Sequence, residues 1–259
     1  MKRALLAEDD PVNRAFLCEA LSLLDWQVDA HETGDAAARA AIAQHFDALL
    51  LDLNLPDGDG LQTLRRIRNL DTHASADSPA LALTADPRPE LHEHLRQNGF
   101  DAVATKPLSV DQLAHALAKL GFPAEPMRAP SGHDALASDT GTVPIWDDTQ
   151  ALATVAGNIA TLAALRKLML DDLPTQRDRI LAAPQSPQAR DELHRLRAAC
   201  GFCGAARLAH AVIALEQAEA KTDQDTAMAR FVRAVEQTLA TEAEHRGNPR
   251  GNARCSDPL

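Results

Sequence analysis

Four short apolar runs each lead into side chains that could do chemistry. Glu8-Asp9-Asp10 follows Ala4–Ala7, and Asp52 follows Ala48–Leu51, opening the stretch Asp52-Leu53-Asn54-Leu55-Pro56-Asp57-Gly58-Asp59-Gly60. Thr84 follows Ala80–Leu83, and Thr105-Lys106-Pro107 follows Ala102–Ala104. Carboxylates held close together repel, and a divalent cation relieves that repulsion. Mg2+ prefers oxygen ligands and keeps positions open for phosphate. An aspartate beside such a metal can attack a phosphoryl group and form an acyl phosphate. A lysine and a hydroxyl on the opposite side would hold the phosphoryl oxygens as charge develops on them.

A second stretch carries a different nucleophile: Leu193-His194-Arg195-Leu196-Arg197-Ala198-Ala199-Cys200-Gly201. At helical spacing Leu193, Leu196 and Cys200 share an apolar face, and His194 lies at its edge. Arg197 and Ala198 fall one turn along from His194, and Gly201 two turns along. An exposed imidazole there can attack an acyl phosphate. The Arg197 guanidinium can neutralise phosphate, and the two small residues leave room for another protein's loop.

These groups need elements to position them. In residues 1–120 the apolar runs Ala4–Ala7, Val28–Ala30, Ala48–Leu51, Ala80–Leu83 and Ala102–Ala104 alternate with amphipathic segments near 11–23, 34–45, 60–70, 88–98 and 109–120. Ser109 suits an N-cap. Five strands alternating with five helices imply an α/β, doubly wound, five-stranded parallel sheet, flavodoxin-like, with ligands gathered at the carboxyl ends of its strands. Residues 121–145 are rich in Pro, Gly, Ser and Thr and keep no hydrophobic period, which predicts a flexible linker with a span of roughly 25–30 Å. Residues 146–243 read as an all-α four-helix bundle. Its stripes are Leu162, Leu165, Met169 and Leu173; then Leu193, Leu196, Cys200 and Cys203; then Leu208, Val212 and Leu215; then Met228, Phe231, Val232, Val235 and Leu239. A short helix near 147–156 is expected to cap one end, and Pro174 interrupts the second helix, where a kink is expected. Residues 244–259 are expected to be a disordered tail.

Composition sets further bounds. The formal net charge of −11 and the lack of a basic stripe argue against nucleic acid as a partner. No apolar run reaches the roughly 20 residues of a membrane span. The apolar start Ala4–Ala7 meets Glu8-Asp9-Asp10 too soon for a signal peptide, so the expected location is the cytoplasm. A calcium loop starting at Asp52 fails because Asp57 stands where glycine is needed and Thr63 where glutamate is needed. Cys200-Gly201-Phe202-Cys203 continues a helical stripe rather than following a strand, which favours packing over redox chemistry.

The order Glu-Asp, Asp, Thr, Lys-Pro at successive strand ends resembles the response-regulator receiver domain over residues 1 to about 120. That resemblance implies Asp52 as phosphoacceptor and Glu8 and Asp9 as an acidic pocket. It implies Mg2+ held by Asp9, Asp52 and the Asn54 carbonyl, with Thr84 and Lys106 on the phosphoryl group and a cis Lys106–Pro107 bond. Where the family often carries an aromatic switch residue, this chain has Val103. The His194 stretch resembles the histidine phosphotransfer (HPt) domain, with Arg197 and Ala198 in place of that family's usual Lys and Gly. Together they imply a two-component phosphorelay protein without a kinase domain. It would accept phosphate on Asp52 from a sensor histidine kinase or another phosphorelay protein. It would exchange phosphate through His194 with an aspartate of the same chain or of a downstream response regulator. The alternatives are a phosphate sink and a phosphorylation-controlled binding module, both with His194 silent.

Overall fold

The computed structural model describes residues 1–69, 74–123, 143–218 and 221–247. The first half alternates strands and helices: β1 (Lys2–Ala7), α1 (Pro11–Leu23), β2 (Trp26–His31), α2 (Gly34–Ala43) and β3 (Ala48–Asp52). Then come a small hairpin, β4 (Asn54–Leu55) with β5 (Gly58–Asp59), and α3 (Gly60–Arg68), β6 (Ala80–Thr84), α4 (Pro89–Gln97), β7 (Ala102–Thr105) and α5 (Val110–Lys119). The five main strands are all parallel, in the order β2-β1-β3-β6-β7. This is the expected doubly wound sheet, and each sequence-read strand lies within an observed one.

The strands are leucine- and alanine-rich because both faces of the sheet are covered. Successive residues alternate between two cores. Ala4, Leu6, Ala48, Leu50, Leu81 and Leu83 face the side of α1 and α5. Leu5, Ala7, Leu49, Leu51, Ala80 and Ala82 face α2, α3 and α4. Helix starts are set by short polar caps. Asp10 accepts from the Asn13 amide with Pro11 at the first turn, and Ser109 forms a capping box with Gln112.

The second half is helical: α6 (Asp148–Thr154), α7 (Ile159–Ala182), α8 (Pro187–Cys203), α9 (Ala206–Glu216) and α10 (Lys221–Gly247). The four stripes read from the sequence supply its interior, with Leu173, Leu196, Cys203, Leu208, Val212, Phe231 and Val235 all at 0% exposure. Pro174 does not end α7, which continues through it to Ala182. Helix α10 runs to Gly247, beyond the expected end at Ala243. The expectations for residues 124–142, in the linker, and 248–259, in the tail, lie outside the described residues.

The two halves share one core. The α1/α5 side of the sheet is continuous with the interior of the bundle. Phe16 of α1 stacks on Phe202 of α8, with ring centroids 4.3 Å apart. Polar contacts flank the apolar seam: Glu19 of α1 accepts from the Asn158 side chain and the Thr161 hydroxyl at the start of α7.

Candidate functional site

The carboxyl ends of β1, β3, β6 and β7 bring Glu8, Asp9, Asp52, Thr84 and Lys106 together, as the order of strand ends predicts. Glu8, Asp52, Thr84 and Lys106 are all buried. Gly60 lets the chain return beside Asp52, since a Cβ there would lie 2.2 Å from the Asp52 carbonyl oxygen. The Lys106 ammonium reaches Asp52 Oδ2 at 2.7 Å and Glu8 Oε2 at 3.0 Å. Lys106–Pro107 is a cis peptide. The Asn54 amide donates to Asp52 Oδ1 at 3.2 Å, and the Asp86 amide donates to the Thr84 hydroxyl at 3.1 Å.

Burial governs the charges. It pushes the Glu8 carboxyl up to about 8 and Asp10 up to about 6. It also raises Asp9, against the pull of the Arg195 guanidinium. Burial works against the Lys106 ammonium, yet Glu8 and Asp52 outweigh it and push its pKa up. Ligand oxygens of Glu8, Asp9 and Asp52 lie within 4.8 Å of one another. Asp9 Oδ1 is buried with no hydrogen-bond partner. A buried carboxylate oxygen without a donor is costly unless something positive meets it, so these three acids fit a divalent cation with oxygen ligands.

The bundle closes over this pocket. His194, Arg195, Asp191 and Ala198 of α8 line a cavity of about 10 Å3 together with Asn13, Asp52, Asn54, Ala85 and Lys106. His194 is half-buried, and burial lowers its pKa, helped by the Arg197 charge. It is therefore neutral near pH 7, the form in which an imidazole is a nucleophile. Arg197 donates to the Ala85 carbonyl at 3.0 Å and pairs with Glu216 at 2.9 Å. It thus grips the loop after Thr84 instead of standing free for phosphate. Gly201 lies under Pro107: a Cβ on Gly201 would come within 2.5 Å of the Pro107 ring. The small residues of α8 do admit a loop, and that loop is this chain's own.

Sequence reasoning missed Arg195, which pairs with Asp9 Oδ2 at 2.7 Å across the two halves. It also missed Asn13, whose amide donates to Glu8 Oε1 at 3.2 Å. Neither has a motif of its own, and only the meeting of α8 with β1 and α1 gives them a place. Cys200 and Cys203 are buried, and burial raises both thiols, Cys203 to about 12. That suits packing, as expected. Among the described residues no helix is long and apolar enough to cross a membrane.

The response regulator receiver domain family matches residues 4–118. The sensor protein GacS of Pseudomonas syringae pv. syringae is 32% identical over 211 residues, which cover 80% of this chain and 23% of GacS. The signal transduction histidine-protein kinase BarA of Shigella flexneri is 24% identical over 220 residues, 82% of this chain and 23% of BarA. The chain thus spans about a quarter of the length of these relatives. Both alignments are longer than the receiver match, so the similarity continues into the helical half, which is consistent with an HPt domain. Among solved structures, the receiver domain of the sensor histidine kinase PA1611 from Pseudomonas aeruginosa PAO1, with a coordinated magnesium ion, is 31% identical. It covers 47% of this chain and 98% of that one, with a TM-score of 0.42. Residues 4–118 of this chain are a response regulator receiver domain, the phosphoacceptor module of two-component signal transduction.

Proposed function

We propose that this chain is a phosphorelay protein that takes phosphate on Asp52 and passes it to or from His194 of the same chain. The observation that carries this reading is the shared cavity, in which His194 meets Asp52 and Lys106. In the forward step the imidazole nitrogen of His194 attacks the phosphorus of phospho-Asp52. The N–P bond forms, the bond from phosphorus to the Asp52 oxygen breaks, and the carboxylate leaves with its electron pair. The Lys106 ammonium, already 2.7 Å from Asp52, neutralises that carboxylate. Asp9, Asp52 and the Asn54 carbonyl would hold Mg2+, with Glu8 beside them. Bound there, Mg2+ would offset the charge of the transferring phosphoryl group. Thr84 would contact a phosphoryl oxygen once its hydroxyl turns from the Asp86 amide. Ala198 and Gly201 let α8 approach closely, and Arg197 fixes its register on the Ala85 carbonyl. The expected donor is a sensor histidine kinase or another phosphorelay protein, and a downstream response regulator is the expected recipient from His194. The protein would act in the cytoplasm.

The test is intact mass with peptide mapping after incubation with acetyl phosphate and Mg2+, for wild type, Asp52→Ala and His194→Gln. Phosphate should appear only with Mg2+ and Asp52, and in wild type part of it should map to His194. A mixture of Asp52→Ala and His194→Gln should place little on His194, because the two sites would then be on different chains. Phosphate that stays on Asp52 in wild type and is lost by hydrolysis would favour the sink and overturn the relay.

A further inference from the structure

Arg195 has no part in the phosphoryl chemistry proposed above, yet it reaches from the bundle into the acidic pocket of the receiver. Its guanidinium pairs with Asp9 Oδ2 at 2.7 Å, and the Asp9 side chain is only 11% exposed. The other Asp9 oxygen faces no donor. The space directly over Asp52 and Lys106, about 10 Å3, has room for about one water, and Arg195 stands between it and a wide open groove that Asn54, Ala85 and His194 also line. A Mg2+ ion keeps several of its own waters, and a phosphoryl group needs still more space. Two cations already sit among these acids, Lys106 between Glu8 and Asp52 and Arg195 on Asp9. A divalent ion entering beside both would meet repulsion at close range. Lys106 is buried and held by two carboxylates. Arg195 is 30% exposed and arrives from another part of the chain, so it is the cation that can leave.

We propose that Arg195 is a positioning residue that latches the bundle onto the metal-free receiver, and that Mg2+ competes with it for Asp9. Docking of α8 through Arg195 and binding of Mg2+ at Asp9 then oppose each other. Mg2+ binding releases the latch, loosens α8 over Asp52 and opens the pocket to a phosphodonor, while the remaining contacts keep His194 near. Coupling is reciprocal: if Mg2+ weakens docking, docking weakens Mg2+ binding by the same factor. This inference rests on the Mg2+ assignment made above.

Two measurements on the full chain test it without phosphoryl transfer. Isothermal titration with Mg2+ should show Arg195→Ala binding the ion about fivefold tighter than wild type, within the usual range of such couplings. Carbethoxylation of His194, followed by peptide mass mapping, should speed up severalfold when Mg2+ is added to wild type. In Arg195→Ala it should already be fast in EDTA and gain little from the ion. Equal Mg2+ affinities, or a His194 rate in wild type that ignores Mg2+, would overturn the latch. Asp9→Asn separates the two ideas: undiminished Mg2+ binding by that variant would remove the metal assignment itself.

Discussion

Pro107 of the receiver sits on Gly201 of the bundle so closely that a Cβ on Gly201 would lie 2.5 Å from one ring carbon and 2.7 Å from the next. The residue before Pro107 is Lys106, which is fixed by Glu8 and Asp52, so the loop cannot easily yield. Gly201→Ala should therefore push α8 away and leave Asp52 intact. Displacing a reacting group by about 1 Å can cost about 100-fold in rate. The expected outcome is normal Asp52 phosphorylation by acetyl phosphate, with transfer to His194 slowed at least tenfold in quenched-flow mass analysis. Unchanged transfer would mean that this contact does not set the approach.

Lys106 is 5% exposed between two buried acids, Glu8 and Asp52. Lys106→Met leaves them without a cation. Breaking a buried pair costs about 3–5 kcal/mol, and the low end applies because Glu8, with its pKa near 8, can hold a proton. Urea denaturation at pH 7 without Mg2+ should show a loss of about 3 kcal/mol.

The Phe16–Phe202 stack joins two units that the sequence presents as separate. Both rings are essentially buried, at 1% and 0% exposure. Truncating such a ring costs about 3–5 kcal/mol. Because the stack lies on the seam, Phe202→Ala should also weaken cooperation between the halves. Wild type should melt in one calorimetric transition and Phe202→Ala in two, with the lower one assigned to the bundle. A single transition in both would show that the halves are joined by other contacts.

The Pro107–Gly201 and Phe16–Phe202 contacts lie beyond what the sequence makes legible, whereas the Lys106 site does not. The strand ends were legible because each pairs a short apolar run with an unusual polar residue, so Glu8, Asp52, Thr84 and Lys106 could be placed on one sheet edge. His194 was legible from its neighbours on one helix. What was not legible is that α8 turns that face toward its own receiver. Phe16 and Phe202 fall in none of the stripes read from the sequence, and Gly201 reads as a small residue kept for a foreign loop. The β4–β5 hairpin is only two residues per strand, too short for any alternation. The run of α7 through Pro174 depends on packing by Leu170, Leu173 and Ile180, which propensity alone does not contain.

The last prediction concerns pH. His194 faces Arg197 on its own helix, Glu216 of α9, and Lys106 and Asp52 of the receiver, and the net effect with burial is a pKa below its ordinary 6.5. A group whose folded pKa is depressed favours the closed state above its unfolded pKa, and that contribution is lost as pH falls through the folded value. Closure should thus be undisturbed by His194 at pH 7.5, and should loosen below pH 6.5 as protonation favours the exposed imidazole. Nucleophilicity follows the same curve. Transfer from phospho-Asp52 to His194 should fall as pH falls, with a midpoint below the 6.5 of an ordinary histidine. Measuring the single-turnover rate of transfer against pH decides the matter, because a midpoint at or above 6.5 would show that α8, once loosened by Mg2+, does not settle back over Asp52 for the transfer.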